Sequence, residues 1–345
     1  MSGRKNTFRL YHFVRDHLLF RLPPETAHHF ALKLLTVAFH LRPGVFSRKY
    51  FLPCEVMGLL FPNPLGLAAG FDKNADYIEP LSALGFGFVE VGTVTPRAQS
   101  GNPAPRLFRL PQADALINRL GFNNKGVAHA VRQIKKIHLN KRKKIIIGVN
   151  IGKNKITPAA KAVEDYVCCF QQAALVADYV TVNLSSPNTA GLRDLQHGQM
   201  LKGLLSALKS AQQSVCQYNG RKVPLVIKIA PDLAPSELKS MADIFVEYAV
   251  DGVIATNTTI DRVGVENLPA ACEAGGLSGR PLFAKSTVIL QQLHALLAPH
   301  KIPLFGCGGI FSREDLLQKK AAGAVLFQIY SGLIYQGSGL IRQLL

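Results

Sequence analysis

The residues of this chain that could do chemistry lie in short polar segments at the ends of apolar runs. The segment from Asn183 to Thr189 is NLSSPNT, and it ends the apolar run DYVTVNL. A plain turn needs only one or two residues of this kind. Serine hydroxyls can take or give a proton, while amide side chains donate and accept hydrogen bonds together. The segment therefore predicts a loop that holds a ligand.

Two lysines occupy positions where a lysine is costly. Lys228 lies inside the apolar run VIKIAP, and Lys73 follows Asp72 in the segment AGFDKN. A buried ammonium group must be paired or have a function, because its desolvation is expensive. An anionic ring system would supply the partner for Lys228. The alternative is that the long side chain of Lys228 extends to solvent at the rim.

Asparagines recur at the ends of the apolar runs. Several amides together suit a planar heterocycle with alternating N–H and C=O groups, because each amide both donates and accepts. A lone asparagine at such a position is explained equally well by a capping turn. The set that predicts recognition of an imide or amide ring is Asn118, Asn123, Asn124, Asn150, Asn183 and Asn257.

Three glycine-containing segments predict a phosphate site. They are GLSG at 276–279, GCGG at 306–309 and YSG at 330–332. Backbone N–H groups left free in such segments can cradle an anion. A glycine pair alone is usually a turn, so the prediction depends on where these segments fall in the fold.

Eight apolar runs must position these polar segments. The runs are continuous rather than alternating, which is typical of strands covered on both faces. Each is followed by helix-forming sequence, so the count predicts an α/β fold, a (β/α)8 TIM barrel, with a doubly wound parallel sheet as the alternative. In a barrel all eight carboxyl ends meet at one rim, where active sites lie. The runs cover 64–70, 86–93, 144–152, 178–185, 224–231, 251–258, 302–309 and 324–332.

Residues 1–45 predict a helical extension that precedes a barrel at 46–345. Apolar residues recur at helical spacing in two stretches, and a Pro-Pro-Glu sequence from Pro23 suits the start of the second helix. Two short basic amphipathic helices can lie on an anionic bilayer, or they can pack as a hairpin on their own barrel. The apolar positions are Phe8, Tyr11, Val14 and Leu18, then Phe30, Leu34, Val37 and Leu41, and Pro43-Gly44 ends the second helix.

The chain is strongly basic, with 40 Lys and Arg against 22 Asp and Glu in 345 residues, a net charge of +18. This excess attracts nucleic acid, anionic membranes or acidic metabolites. A basic run at 132–144 predicts a solvated helix end and loop. The six scattered cysteines show no metal-ligand spacing and predict free thiols in a reducing compartment. No N-terminal apolar stretch approaches the roughly 20 residues of a membrane span.

The ordered motifs together resemble dihydroorotate dehydrogenase, a family of flavin enzymes in pyrimidine synthesis. They are AAGFDKN, INRLGFNN, GVNIGKN, NLSSPNT, KIAPD, TNTT, GGLSGRPL and IYSG. The resemblance covers roughly residues 45–345 and also the helical extension. Soluble members of the family carry a cysteine base in the NLSSPN loop, whereas quinone-linked members carry a serine. The serine here implies the membrane-associated, quinone-dependent class.

The resemblance also implies the reaction and its partners. The enzyme would oxidise (S)-dihydroorotate to orotate, with FMN as hydride acceptor and a membrane quinone as final electron acceptor. It would be a peripheral protein on the cytoplasmic face of the inner membrane, attracted to an anionic membrane surface. Neither a metal nor a nucleic acid partner is implied.

The resemblance implies a role for each matching residue. Ser186 would be the catalytic base, and His28 and Arg109 would line a quinone tunnel. FMN would contact Ala69, Gly70, Lys73, Thr93, Asn150, Asn183, Lys228, Thr256, Gly279, Gly308, Tyr330 and Ser331. Substrate would contact Lys73, Asn118, Arg119, Leu120, Gly121, Phe122, Asn183, Asn188, Asn257 and Thr258.

Two other functions stay open at this point. A tRNA dihydrouridine synthase is also a basic flavin barrel, although that family uses a catalytic cysteine that the NLSSPN loop lacks. A flavin-free barrel that serves as a membrane scaffold is the second. Cys307 departs from the small or aliphatic residue expected in the seventh loop, which predicts a packing substitution and thiol-sensitive FMN binding.

Overall fold

The computed structural model describes residues 11–41, 50–139, 145–189 and 191–345. The strands are β1 Cys54–Val56, β2 Leu59–Phe61, β3 Leu65–Leu67, β4 Phe88–Val94, β5 Leu107–Leu110, β6 Ala115–Asn118, β7 Ile146–Ile151, β8 Tyr179–Asn183, β9 Leu225–Ile229, β10 Gly252–Ala255, β11 Gly276–Gly279, β12 Leu304–Cys307 and β13 Ala324–Ile329. The helices are α1 Pro24–Leu41, α2 Ile78–Ser82, α3 Val127–Leu139, α4 Ala162–Ala173, α5 Gly198–Asn219, α6 Pro235–Glu247, α7 Leu282–Leu297, α8 Arg313–Ala321, α9 Ser331–Gln336 and α10 Gly339–Leu344. Residues 11–17 are also helical, and a 3-10 turn spans Leu19–Arg21.

Eight parallel strands close into a barrel in the order β3, β4, β7, β8, β9, β10, β12, β13 and back to β3. Seven of the eight predicted apolar runs contain one of these strands, and the run at 86–93 covers all of β4 except Val94. The predicted (β/α)8 fold is confirmed, and the doubly wound alternative is wrong. Helices α2 to α8 cover the outside, so the strands are buried on both faces, as their continuous apolar sequences predict.

Aromatic side chains fill the amino-terminal half of the barrel. The rings of Phe88, Tyr179 and Phe305 lie 5.9–6.3 Å apart, and Phe61 of the β1–β2 hairpin packs 5.2 Å from Phe88. The barrel accommodates them because glycines face them: a Cβ on Gly148 would lie only 2.2 Å from the Tyr179 ring. With this end filled, a ligand can enter only at the carboxyl end.

A second sheet forms one wall at the carboxyl end of the barrel. Its antiparallel strands run in the order β11, β6, β5, with Asn118 opposite both Leu107 and Gly276. Hairpin β5–β6 therefore carries Arg109 and Asn118 on one unit, and β11 adds Gly279. Sequence analysis named individual site residues of this sheet and the glycine segment at 276–279, but it did not predict the strands.

Helix α1 packs one face on the barrel and leaves another exposed. Ala27 and Leu32 are buried, and Arg106 bonds Glu25 at 2.9 Å across the contact. An outward stripe is formed by Phe30, Leu34, Val37 and Leu41, which are 43%, 53%, 54% and 75% exposed. The helix ends at Leu41; its predicted stop at Pro43-Gly44 lies outside the described residues, as does Phe8. No helix in the described ranges is long and apolar enough to cross a membrane.

The basic run at 132–144 begins in a helix end, as predicted. Helix α3 carries 132–139, and its last turn holds Lys136 and His138, where positive charge favours the helix dipole. Residues 140–144 of that run lie outside the described part of the chain.

Candidate active site

A cleft with an empty volume of about 1100 Å³ opens at the carboxyl ends of the barrel strands. Twenty-one positions were predicted for base, cofactor and substrate, and the structure brings nineteen of them to this cleft. Those nineteen are Ala69, Gly70, Lys73, Thr93, Asn118, Leu120, Gly121, Phe122, Asn183, Ser186, Asn188, Lys228, Thr256, Asn257, Thr258, Gly279, Gly308, Tyr330 and Ser331. The other two are Asn150 and Arg119.

The loop after β8 holds its two serines differently. Ser185 Oγ donates to Asn183 Oδ1 at 2.9 Å and accepts from Asn257 Nδ2 at 2.9 Å. Ser186 Oγ accepts from the Asn188 backbone N–H at 3.2 Å, and it faces the cleft. Within the described residues the Ser186 hydroxyl donates no hydrogen bond. Ser185 is therefore a structural part of the loop, while Ser186 keeps its proton available to a ligand.

Amide side chains connect neighbouring strand ends around the rim. Asn183 Nδ2 donates to Thr93 Oγ1 at 3.1 Å, and Asn257 Nδ2 lies 3.3 Å from Asn183 Oδ1. On the facing wall, Asn188 Nδ2 donates to the Asn118 backbone O at 3.1 Å. These contacts orient the amides before any ligand arrives, which lowers the entropic cost of binding.

Asn150 lies beneath this rim and does not line the cleft. Its Oδ1 accepts from Thr93 Oγ1 at 2.6 Å, and its Nδ2 donates to Glu90 Oε1 at 2.8 Å. Glu90 is fully buried and also accepts from Tyr179, Thr181 and Gln328. A buried carboxylate with four donors is well satisfied. Asn150 thus links the buried Glu90 to the Thr93 hydroxyl and fixes their relative positions.

Arg119 points away from the cleft. Its guanidinium pairs with Glu273 at 2.5 Å and stacks 4.6 Å from the centroid of the Phe108 ring. Its backbone N–H donates to the Arg106 O. Arg119 therefore fastens the segment that continues into Leu120, Gly121 and Phe122, whose atoms do reach the cleft. Phe122 adopts a left-handed φ of 55°, which turns the chain at that point.

Two lysines supply positive charge to the cleft. Lys228 on β9 is only 5% exposed and forms no ion pair with any described carboxylate. Its predicted alternative, an extension to solvent, is wrong. Lys73 is half-buried, and burial lowers its pKa to about 8, with Glu25 opposing and Arg106 adding to the decrease. Both ammonium groups are placed where an anionic ligand would be their partner.

The three glycine segments meet at one end of the cleft. Gly279 and Gly308 have φ values of 101° and 113°, and a Cβ on Gly279 would lie 2.2 Å from the Asp114 O. The N–H groups of Gly308 and Gly309 donate no hydrogen bond within the described residues. Free N–H groups on a concave segment are a common anion site. Ser278 and Ser331 join the segments through a 2.9 Å contact between their hydroxyls.

Sequence reasoning missed two polar residues of the cleft. Ser278 sits between the glycines of GGLSGR, and Gln328 sits inside the apolar run before IYSG. A polar side chain in an apolar run was the signal for Lys228, and the same signal would have found Gln328.

The comparisons with known proteins agree with this geometry. The family model for dihydroorotate dehydrogenase matches residues 51–345. Dihydroorotate dehydrogenase (quinone) of Cellvibrio japonicus is 54% identical over 334 residues, which are 96% of each chain. That of Stenotrophomonas maltophilia is 50% identical over 336 residues, 97% of this chain and 94% of the other. This chain belongs to the dihydroorotate dehydrogenase family.

The comparison with solved structures also finds dihydroorotate dehydrogenases. The crystal structure of the Eimeria tenella enzyme in complex with ferulenol has a TM-score of 0.86 at 36% identity, covering 96% of this chain and 92% of that one. The predicted family, its quinone-dependent class and its dependence on FMN are confirmed by this membership.

The cleft fits the FMN that the dihydroorotate dehydrogenase family uses. The free N–H groups of Gly308 and Gly309 suit its phosphate. Buried Lys228 suits the pyrimidine edge of its ring, where negative charge develops on reduction. Each end of the cleft thus offers donors or positive charge to the part of FMN that carries or develops negative charge.

A second cavity, with an empty volume of about 960 Å³, lies between the helical extension and the barrel. His28 and Arg109 both line it. His28 Nε2 donates to the Phe71 O at 2.8 Å, and burial lowers the pKa of His28 to about 3, so the ring is neutral. Arg109 donates to the carbonyls of Leu19 and Leu22 at 3.2 and 2.8 Å. The cavity is mostly apolar with these two donors at its sides.

Proposed function

We propose that the cleft and the second cavity divide the reaction of a dihydroorotate:quinone oxidoreductase between them. Dihydroorotate becomes orotate by losing a proton from C5 and a hydride from C6. FMN held by Lys228 and the glycine segment at 306–309 would supply the acceptor for that hydride and the electron link to quinone. The residues of this chain bind and orient both partners and move the proton.

Ser186 is the base in this proposal. The observation that carries it is the contrast within one loop: Ser185 is held by two side chains, whereas Ser186 is held by one backbone donor and faces the cleft. A hydroxyl that accepts one N–H can take the C5 proton only while it passes its own proton to a second acceptor, and in this proposal a water molecule in the cleft is that acceptor.

The amides and Lys73 hold the substrate ring. Asn183, Asn257, Asn118 and Asn188 surround Ser186 and present donors and acceptors together. Lys73 is placed to pair with the substrate carboxylate as a charge-assisted hydrogen bond. These contacts position C5 against the serine, which is where orientation lowers the barrier.

The second cavity is the quinone passage in this proposal, and the part of the helical extension that the structure describes, residues 11–41, forms its outer part. Its lining is apolar, like a quinone ring and tail, while His28 and Arg109 offer polar contacts. Leu107, Leu116 and Tyr330 line both cavities, so the two compartments meet across a single layer of side chains. In this proposal electrons pass through that layer, while the polar substrate and the quinone each stay in their own cavity.

The enzyme is peripheral to an anionic membrane in this proposal, on the cytoplasmic face. The stripe of Phe30, Leu34, Val37 and Leu41 is exposed on α1, with exposed Lys33 next to it on the helix and exposed Arg21 in the turn that precedes the helix. An exposed apolar stripe flanked by cations suits the interface of an anionic bilayer. Quinone would then enter directly from the membrane.

Anaerobic absorbance of the purified enzyme tests the proposal. Dihydroorotate should bleach the flavin, and a soluble quinone should restore its colour. Bleaching without recovery would remove the quinone role of the second cavity. A yellow protein that dihydroorotate does not bleach would contradict the proposed cleft chemistry.

A further inference from the structure

Helix α8 places a lysine in the core behind the glycine segment at 306–309. Lys319 is completely buried, and its Nζ donates a 2.5 Å hydrogen bond to Ser286 Oγ on α7. The ammonium also lies 5.1 Å from the centroid of the Phe283 ring. The Cys307 thiol and Asp315 lie close enough to raise the pKa of Lys319 in part, against the effect of burial. No described carboxylate forms an ion pair with Lys319.

Ser286 connects this lysine to the glycine segment. Its Oγ lies 3.3 Å from the Gly308 O, and a Cβ added to Gly308 would lie 2.9 Å from the Ser286 Oγ. The Lys319 stem packs against the same segment, since a Cβ on Gly306 would lie 3.3 Å from Lys319 Cβ. Contacts therefore run without a gap from the ammonium to the free N–H groups of Gly308 and Gly309.

A buried lysine without an ionic partner is a cost that an apolar residue would avoid. Burial lowers the pKa of Lys319 to about 7, which reflects the unfavourable desolvation of its charged form. A methionine of similar length would fill the space without this penalty. An anion bound on the far side of the glycine segment would offset the penalty by favouring the charged form.

We propose that Lys319 is a positioning residue for the phosphate end of FMN. Through Ser286 it holds the Gly308 segment in its binding conformation, and its charge stabilises the phosphate dianion across the low-dielectric core. This inference rests on the proposed function, in which the cleft holds FMN, and on the fit of its phosphate to the free N–H groups of Gly308 and Gly309.

The test is Lys319→Met in the holoenzyme, with two readouts. FMN release after dilution is followed by the rise of flavin fluorescence, and the phosphate of bound FMN is titrated by 31P NMR. We expect release about tenfold faster and a second phosphate pKa about one unit higher, the size of effect that a nearby charge produces. Lys320→Met is the matched control, because it removes the same charge from the adjacent exposed position.

A purely structural role would give a different pattern. It predicts a lower Tm in excess FMN and faster release, with the phosphate titration unchanged, and that result would overturn the proposal. Unchanged release with an unchanged titration would also overturn it. Because the substitution removes an unpaired buried charge, we expect Tm in excess FMN to stay equal or rise.

Ser286→Ala keeps the proposal testable if the methionine variant fails to accumulate. It retains the lysine and removes the hydroxyl link, so FMN release should become several-fold faster, and an unchanged rate would refute the link. A wild-type enzyme whose bound FMN shows no perturbed phosphate resonance would instead count against the phosphate assignment in the proposed function.

Discussion

At the scale of single residues, neighbouring side chains of one type have different tasks. Ser185 and Ser186 are adjacent, yet one hydroxyl is part of the amide network and the other faces the cleft. The two lysines of the cleft differ as well, since Lys228 is buried in a strand and Lys73 lies half-buried in a loop. Each pair supplies a matched comparison for mutagenesis.

Ser186→Ala should slow flavin reduction by dihydroorotate by about 10²–10⁴-fold, the usual contribution of a positioned acid or base. The protein should remain yellow. Ser185→Ala is the comparison: it should weaken dihydroorotate binding while reduction at saturating substrate stays near wild type. Stopped-flow absorbance measures both. Rapid reduction in the Ser186 variant would remove it from the role of base.

The affinity for dihydroorotate should fall as the pH rises through about 8. Burial lowers the pKa of Lys73 to about 8, so its ammonium group is charged below that pH and loses its charge above it. In the proposed function this charge pairs with the substrate carboxylate. KM should rise by up to about tenfold per pH unit beyond this point. Lys73→Met should have a high KM with no such slope; an identical slope in the variant would exclude Lys73 as the titrating group.

At the scale of elements, helix α1 has two faces with different partners. The inner face carries Ala27 and Leu32 and is tied to the barrel by the Glu25–Arg106 pair. The outer face carries a stripe of four large apolar side chains, spaced so that they align along the helix. Of the two alternatives that the sequence pattern left open, packing on the barrel is confirmed for α1. Contact with an anionic bilayer stays a prediction, which the exposed stripe supports.

Leu34→Glu with Val37→Glu should reduce binding to phosphatidylglycerol vesicles by more than about tenfold. Each large side chain that leaves an apolar environment loses about 1.5–3 kcal/mol. Turnover with a soluble quinone should persist, because both residues face outward. Val288→Glu with Leu317→Glu is the control, since these residues are equally exposed on barrel helices. Equal vesicle binding by both double variants would refute the membrane face.

At the scale of the whole molecule, two compartments share one wall. Leu107, Leu116 and Tyr330 line the cleft on one side and the second cavity on the other. Burial raises the pKa of Tyr330 to about 12, so it stays neutral in that wall. In the proposed function this division separates a polar substrate from an apolar acceptor, so we expect that each half-reaction can be disturbed alone.

Ala31→Phe should slow the quinone half-reaction by at least about tenfold and leave reduction by dihydroorotate unchanged. Ala31 lines the second cavity from α1, so a larger side chain fills space that quinone needs. Ala38→Phe on the same helix is the control, because Ala38 does not line that cavity. Separate stopped-flow measurements of the two half-reactions decide it. A parallel loss of both would show a general distortion.

The sequence by itself determined the barrel and most of its cleft. Eight continuous apolar runs each form one strand, because strands covered on both faces admit few polar residues and the pattern is local. The polar exceptions, such as Lys228 and the NLSSPNT loop, stand out against that background. Since all carboxyl ends of the barrel meet at one rim, finding those exceptions was enough to find the cleft.

Only the tertiary structure decided where individual side chains point and which distant elements touch. Asn150 turns inward to Glu90, and Arg119 turns outward to Glu273, although both lie within motifs of the cleft. Lys319 occurs in a charged helix segment, REDLLQKKA, where nothing local separates it from exposed Lys320. Burial and pairing depend on contacts between residues far apart in the chain, and a local pattern does not contain that information.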